Sequence, residues 1–190
     1  MIDSKSNETL SENGIRKLKS IEDIKYLKIP SEPLQVIGRL IPQYKNGAWS
    51  ISEEIFDEPY EKKYSDDDID YIDNDFINSE DTAIFLYFYD NIYAGHIYMW
   101  KGWNKDCYIE NIDVRRDFCR QGIGKKLIKQ AVLWAKDKDL KGIRLETQDM
   151  NLIACRFYQK CGFVLGAVDN LLYRNLEYPD EKALFWYLLF

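Results

Sequence analysis

The chain runs to 190 residues, of which 46% are apolar and 15% aromatic, with a formal net charge of -6. That length suits one core, since single domains commonly hold about 100–200 residues, and the acidic balance speaks against a general nucleic-acid binder, whose surface would be basic. No run approaches the roughly 20 apolar residues of a membrane-spanning helix, and cysteines without Cys-x-x-Cys spacing beside a single histidine, His96, offer no zinc pattern.

Residues 1–20 are polar with few large apolar groups, which predicts a flexible N-terminal arm, frayed or weakly helical, ahead of a single domain over 21–190. The arm has no apolar run of the signal-peptide kind, and the cysteines fit a reducing compartment, so a cytoplasmic location is expected. From Pro33 to Ile41 apolar and polar residues alternate as in a strand. Asn46-Gly47 is a hairpin signal, and Trp49–Ser52 begin the return. Acids then crowd the chain from Glu53 to Asp81, with only Lys62 and Lys63 against them. This stretch is expected to be partly irregular, with Ile69, Tyr71, Ile72, Phe76 and Ile77 anchoring a short helix.

Ala83–Tyr89 reads as a buried strand, Asp90-Asn91 as a tight turn and Tyr93–Trp100 as the antiparallel partner. Trp103–Asp106 turns the chain into a third strand, Cys107–Val114. The pattern then changes to a helix from about Gly122 to Lys138 and a strand Ile143–Thr147. Asn151 caps a helix Leu152–Lys160 that Cys161-Gly162 ends, a strand starts at Phe163, and an apolar strand spans Ala183–Phe190. A meander followed by alternating strands and helices predicts an α/β (α+β) fold, a mixed sheet with helices packed against it.

The junction between the third strand and the first long helix carries the chemistry. Gly122 and Gly124 stand where the helix opens, and a first helical turn leaves N–H groups that suit an anion. Arg115, Arg116, Arg120, Lys125, Lys126 and Lys129 surround it, with Asp117 the one opposing charge, so a phosphate-bearing cofactor is expected here. The dinucleotide fingerprint is absent, because Gln121-Gly122-Ile123-Gly124-Lys125-Lys126-Leu127 lacks its third glycine, and no Gly-Lys-Ser/Thr loop occurs. The molecule thus offers a basic anion site and a separate acidic, cation-attracting stretch.

The strand, the Gln-Gly-Ile-Gly turn, the helix and strand after it, and then Asn151-Leu152-Ile153-Ala154-Cys155-Arg156-Phe157-Tyr158-Gln159-Lys160-Cys161-Gly162-Phe163 resemble the GNAT superfamily of acetyl-coenzyme A-dependent N-acetyltransferases, from about Thr82 onward. Cys119 stands where the family pattern has Arg or Gln. A narrower resemblance rests on Glu146–Cys155, Pro33–Gly38 and Glu181–Leu188, which look like streptothricin acetyltransferases. It implies a GNAT-like, mostly antiparallel central sheet, acetyl-CoA as co-substrate with no metal, and acetylation of the β-lysine part of a polycationic, aminoglycoside-like antibiotic, hence resistance. The alternatives are a protein lysine, protein N-terminus or polyamine as acceptor, or a coenzyme A-binding regulatory module without turnover. The partner implied is a small cationic amine rather than nucleic acid or membrane; a homodimer is left open.

The resemblance distributes roles. Arg120, Gln121, Gly122, Ile123, Gly124 and Lys125 would hold the cofactor's phosphates, with Asn151 and Ala154 of the second motif also at the cofactor. Backbone groups of Ile112, Asp113 and Val114 would pair with its pantetheine arm, and a backbone N–H near Val114 would face the carbonyl oxygen as it gains charge. The acceptor arrives mostly as ammonium, with a pKa near about 10.4 for a lysine-type amine. Glu110 is the first candidate base, with Asp113 and Glu146 as alternatives, and Tyr158 matches the family tyrosine that gives the departing sulfur a proton. Asp66, Asp67, Asp68, Asp70 and Glu146 would attract and bind the cationic acceptor.

Overall fold

The computed structural model of the chain describes residues 13–64 and 69–190. Strand β1 (Asn13–Lys17) is followed by a 3-10 turn at Ile21–Tyr26, the hairpin β2 (Leu34–Lys45) and β3 (Ala48–Lys62), and the short helix α1 (Asn74–Asn78). Then come β4 (Thr82–Tyr89), β5 (Ile92–Lys101), β6 (Asp106–Val114), α2 (Ile123–Asp137), β7 (Gly142–Gln148), α3 (Leu152–Lys160), β8 (Val164–Asp169) and β9 (Ala183–Leu189). Seven strands form one sheet in the order β1-β4-β5-β6-β7-β9-β8, while β2 and β3 form a separate two-stranded ribbon. Within the seven-stranded sheet only β6 and β7 run parallel, because α2 must carry the chain back between them.

One face of the sheet packs on α2 and α3. Ile123, Leu127, Ala131 and Trp134 of α2 and Leu152, Cys155 and Tyr158 of α3 meet Phe85, Ile97, Met99, Ile109 and Leu145 in one buried cluster. The other face carries a smaller cluster, Ile84, Leu86, Tyr93 and Tyr98 under Ile24, Ile72 and Ile77. The alternation along β4 and β5 divides their side chains between these two cores.

Two expectations need correction. Residues 13–20 are not part of a loose arm: β1 pairs with β4 from Asn13↔Tyr89 to Lys17↔Phe85, and Ser20 caps the turn that follows by accepting from the Glu22 N–H. Leu18 supplies the apolar anchor that holds this edge strand down. The head of the acidic stretch is not irregular either, because residues 53–62 continue β3, a strand exposed along almost its whole length. Its turn is the one expected, Asn46 and Gly47 both adopting positive φ of 53° and 80°, the geometry of a two-residue hairpin.

A bare ribbon of two strands is marginal in water, and several ties fix this one to the main body, among them an ion pair of Glu61 with Arg116 at 3.5 Å and the four that follow. Leu40 N–H donates to the Asp149 carbonyl at 2.9 Å. Trp49 Nε1 donates to the Gly166 carbonyl at 3.1 Å, and Arg156 Nε reaches Glu53 at 2.9 Å. The fourth tie is a buried ion pair, Lys62 with Glu181; Tyr64 donates to the same carboxylate, and the Lys62 ammonium lies 3.3 Å from the centre of the Tyr178 ring.

Candidate active site

β6 and β7 pair over only four residues, Asp106–Ile109 against Gly142–Leu145. Opposite Tyr98 and Met99 the β6 ladder steps from Asn111 to Ile109, so Glu110 is an extra, bulged residue. Beyond it β6 stays with β5 and β7 stays with β9, and the two strands part into a fork. Arg115 N–H donates to the Ala94 carbonyl at 3.0 Å. Alternation along that ladder turns the N–H and C=O of Ile112 and Val114 away from β5, toward the open side of the fork. An extended ligand chain can pair with such an edge as another strand would.

At the end of β6 the chain reaches α2. Gly122 is the N-cap, in the left-handed region at φ 79°, and no side chain caps the helix. The first bond of the helix runs from Lys126 N–H to Gly122 O at 3.1 Å. The N–H groups of Ile123, Gly124 and Lys125 therefore have no acceptor inside the helix and form the positive end of its dipole. The two glycines serve different ends. A Cβ on Gly122 would meet nothing, whereas one on Gly124 would lie 3.0 Å from the Phe157 ring, so Gly124 is what lets α2 and α3 close on each other. Arg120 also takes a positive φ of 64°, and Gln121 Nε2 donates to the Asp117 carbonyl at 3.4 Å. The Cys119 thiol lies 3.5 Å from the Val114 carbonyl and 3.6 Å from that of Arg115, against the end of β6. Uncapped donors, no Cβ at Gly122 and exposed Arg120 and Lys125 fit a pyrophosphate.

The fork has two unlike faces. Leu145 and Thr147 of β7 are buried against the helices. On that side Tyr158 sits buried beside Phe163 and Trp186, at 5.8 and 6.4 Å between ring centres. Burial, then Cys155 and Glu146, hold its phenol protonated far above the ordinary tyrosine range. Asn151 accepts the Ala154 N–H at 3.1 Å, so it is a helix cap that fixes where α3 begins.

Glu146, between Leu145 and Thr147, alternates to the opposite face. The Tyr173 hydroxyl donates to its carboxylate, and burial together with the charge of Glu110 pushes its pKa up to about 7. Glu110 is exposed and accepts from Trp100 Nε1 at 3.1 Å. On this face a cleft of about 410 Å³ opens between residues 27–31, residues 69–72 and strands β5 and β6. Tyr71, His96, Tyr98, Glu110 and Asp113 line it, and Asp70 stands at its rim, 3.3 Å from Lys28. Tyr71 donates to the Tyr98 hydroxyl at 3.3 Å, and the Tyr93 hydroxyl lies 2.7 Å from His96 Nδ1. Burial and the nearby Glu32 raise the Asp113 carboxyl, while the Val114 amide and Arg115 pull it down. The outward N–H groups of Ile112 and Val114 both lie along this edge.

Glu110, Ile112, Asp113, Val114, Glu146 and Tyr158 converge on the fork, and Arg120 to Lys125 lie at one end of it. Asp70 is set apart at the cleft rim, and Asp66, Asp67 and Asp68 lie outside the described residues. Sequence reasoning gave no role to His96 and passed over Tyr98 and Tyr173. His96 and Tyr98 had a signal, since in β5 they alternate with the buried Ile97 and Met99. Tyr173 had none, standing in the connection between β8 and β9. Among the described residues no cluster of three His, Cys, Asp or Glu is placed to hold a metal ion, and no helix is long and apolar enough to cross a membrane.

Comparison with known proteins gives the following. Residues 49–163 match the model of the acetyltransferase (GNAT) family. Over 161 residues the chain is 44% identical to streptothricin acetyltransferase A of Bacillus subtilis (strain 168), covering 85% of this chain and 91% of that one. A streptothricin acetyltransferase of Escherichia coli is 40% identical over 131 residues, 68% of this chain and 70% of the relative. A crystal structure of a Bacillus anthracis str. Ames protein assigned as a streptothricin acetyltransferase, in complex with acetyl coenzyme A, superimposes with a TM-score of 0.82 at 37% identity, over 94% of this chain and 98% of that one. Nourseothricin acetyltransferase, 21% identical, shares the fold with a TM-score of 0.78 over 94% and 99% of the two chains.

Proposed function

This chain belongs to the acetyltransferase (GNAT) family, and from that premise we propose that it moves the acetyl group of acetyl-CoA to an amine of streptothricin, inactivating a cationic antibiotic. The observation that carries the reading is the fork between β6 and β7: an uncapped helix start lies at one end of it and an acidic, aromatic cleft opens on its far face. The kinship with streptothricin acetyltransferases supplies the acceptor.

Acetyl-CoA supplies an activated thioester, whose C–S bond breaks as the new C–N bond forms, giving an amide, a thiol and one proton. The chain's own groups do the rest. Ile123, Gly124 and Lys125 N–H groups, with Arg120 and Lys125 side chains, hold the pyrophosphate at the positive end of α2. The outward edge of Ile112 and Val114 aligns the pantetheine arm along β6, so that the reacting carbon is presented through the fork. Tyr158, kept neutral by burial, holds a proton on the helix side for the departing sulfur. The cleft on the other side receives the acceptor, where Glu110, Asp113 and Asp70 favour its positive charges and Tyr98 and Tyr71 offer ring faces. The outward N–H groups of Ile112 and Val114 are the edge donors nearest the carbonyl oxygen.

The test is a thiol-release assay with acetyl-CoA and streptothricin. Stoichiometric thiol and acetylated antibiotic are the expected result. Thiol release with simple diamines or lysine peptides but none with streptothricin would replace the acceptor, and tight coenzyme A binding without release for any amine would replace the enzyme by a binding module.

A further inference from the structure

Besides Asp113, which lies farther along β6, the fork holds Glu110 and Glu146, and these two carboxylates are not equivalent. Glu110 is the extra residue of a bulge, exposed, with its carboxylate turned to Trp100 Nε1. Glu146 is the first residue of β7 past the last β6 pair, half-buried, and fixed by the hydroxyl of Tyr173, itself buried. Its position is therefore set on both sides, by the β9 ladder (Glu146↔Phe185) and by the phenol.

We propose that Glu146, rather than Glu110, is the group that takes the proton from the acceptor ammonium, with Tyr173 as the residue that positions it and Glu110 as the charge that tunes it. The inference rests on the acetyl-transfer reading above but names no particular amine. The transfer is simple: one N–H proton passes to a Glu146 oxygen, the nitrogen keeps the electron pair, and the proton later leaves to solvent. An ordinary carboxylate near pH 4 is a weak proton acceptor, and one poised near neutrality is far better matched to the task. Burial and Glu110 bring Glu146 to about 7. The ionisable groups around it are Tyr108 and Glu110 on β6, Arg144 on its own strand, Tyr158 on α3 and Tyr173. Of these, Tyr173 donates to the carboxylate and so favours the charged form, while Glu110 repels it.

The signs follow. Below about pH 7 Glu146 is protonated and cannot act, so kcat/KM should fall with an acidic limb at the Glu146 pKa. Tyr173→Phe removes a donor to the carboxylate and should move the limb to higher pH. Glu110→Gln removes a like charge and should move it lower. Glu146→Gln should erase the limb and lower kcat about 100-fold or more, with coenzyme A binding by calorimetry showing that the variant is folded. A limb that survives Glu146→Gln, or one erased by Glu110→Gln, would overturn the proposal. A carbon-13 carboxyl titration of the unliganded protein, with Glu146→Gln to assign the resonance, reads the same group without turnover. A Glu146 resonance titrating near the ordinary glutamate value of about 4.3 would overturn it as well. Failure of streptothricin as acceptor would remove only the antibiotic, since the titration and the limb measured with any other amine stand apart from it.

Discussion

The two faces of the fork are built in opposite ways. On the helix side everything that matters comes from one run of chain: the end of β6, Cys119 to Lys125, and α3 packed on α2 through Gly124 and Phe157. That side is apolar, and Tyr158 is buried in it. On the other side Lys28, Asp70, His96, Asp113 and Tyr173 come from five separate segments, and carboxylates and hydroxyls replace the aliphatic wall. The difference teaches which half of a transferase is free to vary. On the proposed function, the side that meets the common donor is built from neighbouring stretches, and the side that meets the acceptor combines two strands with separate loop segments that can be exchanged piece by piece.

Tyr158→Phe is the sharpest way to break that contrast. If the sealed face exists to hold a proton for the sulfur, kcat should fall about 100-fold or more while coenzyme A affinity by calorimetry changes little. An unchanged kcat would make the phenol a packing residue only. Next come the two glycines, which should separate binding from packing. Gly122→Ala forces a left-handed φ on an L-residue, costing about 1–2 kcal/mol, and adds a methyl beside the open donors. It should weaken coenzyme A binding about tenfold, a fall read by calorimetry. Gly124→Ala pushes a methyl into the Phe157 ring, and overpacking of this kind costs about 1–3 kcal/mol. It should lower the thermal midpoint with a smaller effect on binding. If both variants lose binding alike, the division of labour is wrong. The smallest effect belongs to the cleft rim. Asp70 is solvated and already near Lys28, so Asp70→Asn should raise the acceptor KM only severalfold, and the increase should fade at high salt. An increase that persists in salt would place Asp70 in direct contact with the acceptor.

The same asymmetry explains what the sequence disclosed. The glycine turn, α2 and Asn151 could be read because spacing within one stretch fixes them: an N-cap precedes its helix, and an amphipathic helix shows its period; Tyr158 was singled out only by the family resemblance. The meander β4–β6 was equally plain, its turns marked by Asp90-Asn91 and by the residues after Trp103. The cleft was hidden because His96, Tyr98 and Asp113 share a wall only after the sheet is assembled, and Tyr173, in the connection between β8 and β9, has no local pattern. β3 was misread in its second half for a physical reason. A strand exposed on nearly all positions has no burial alternation to display, and Glu58-Pro59 within it reads as a break. β1 escaped notice because five residues at a sheet edge need only one strong apolar anchor, here Leu18.

The buried union of Lys62 with Glu181 has a consequence for the order of events during synthesis. The partners stand 119 residues apart, and each alone would be an uncompensated charge entering an apolar setting, a state that costs about 3–5 kcal/mol. The ribbon of β2 and β3, made early by the ribosome, therefore lacks its buried ion-pair tie until the segment around Glu181 has emerged, after its ties to Asp149, Arg156 and Gly166. A nascent chain halted short of that point should present the ribbon to proteases, and one released beyond it should not. The lysine acts as a latch on a door hung long before its frame was finished.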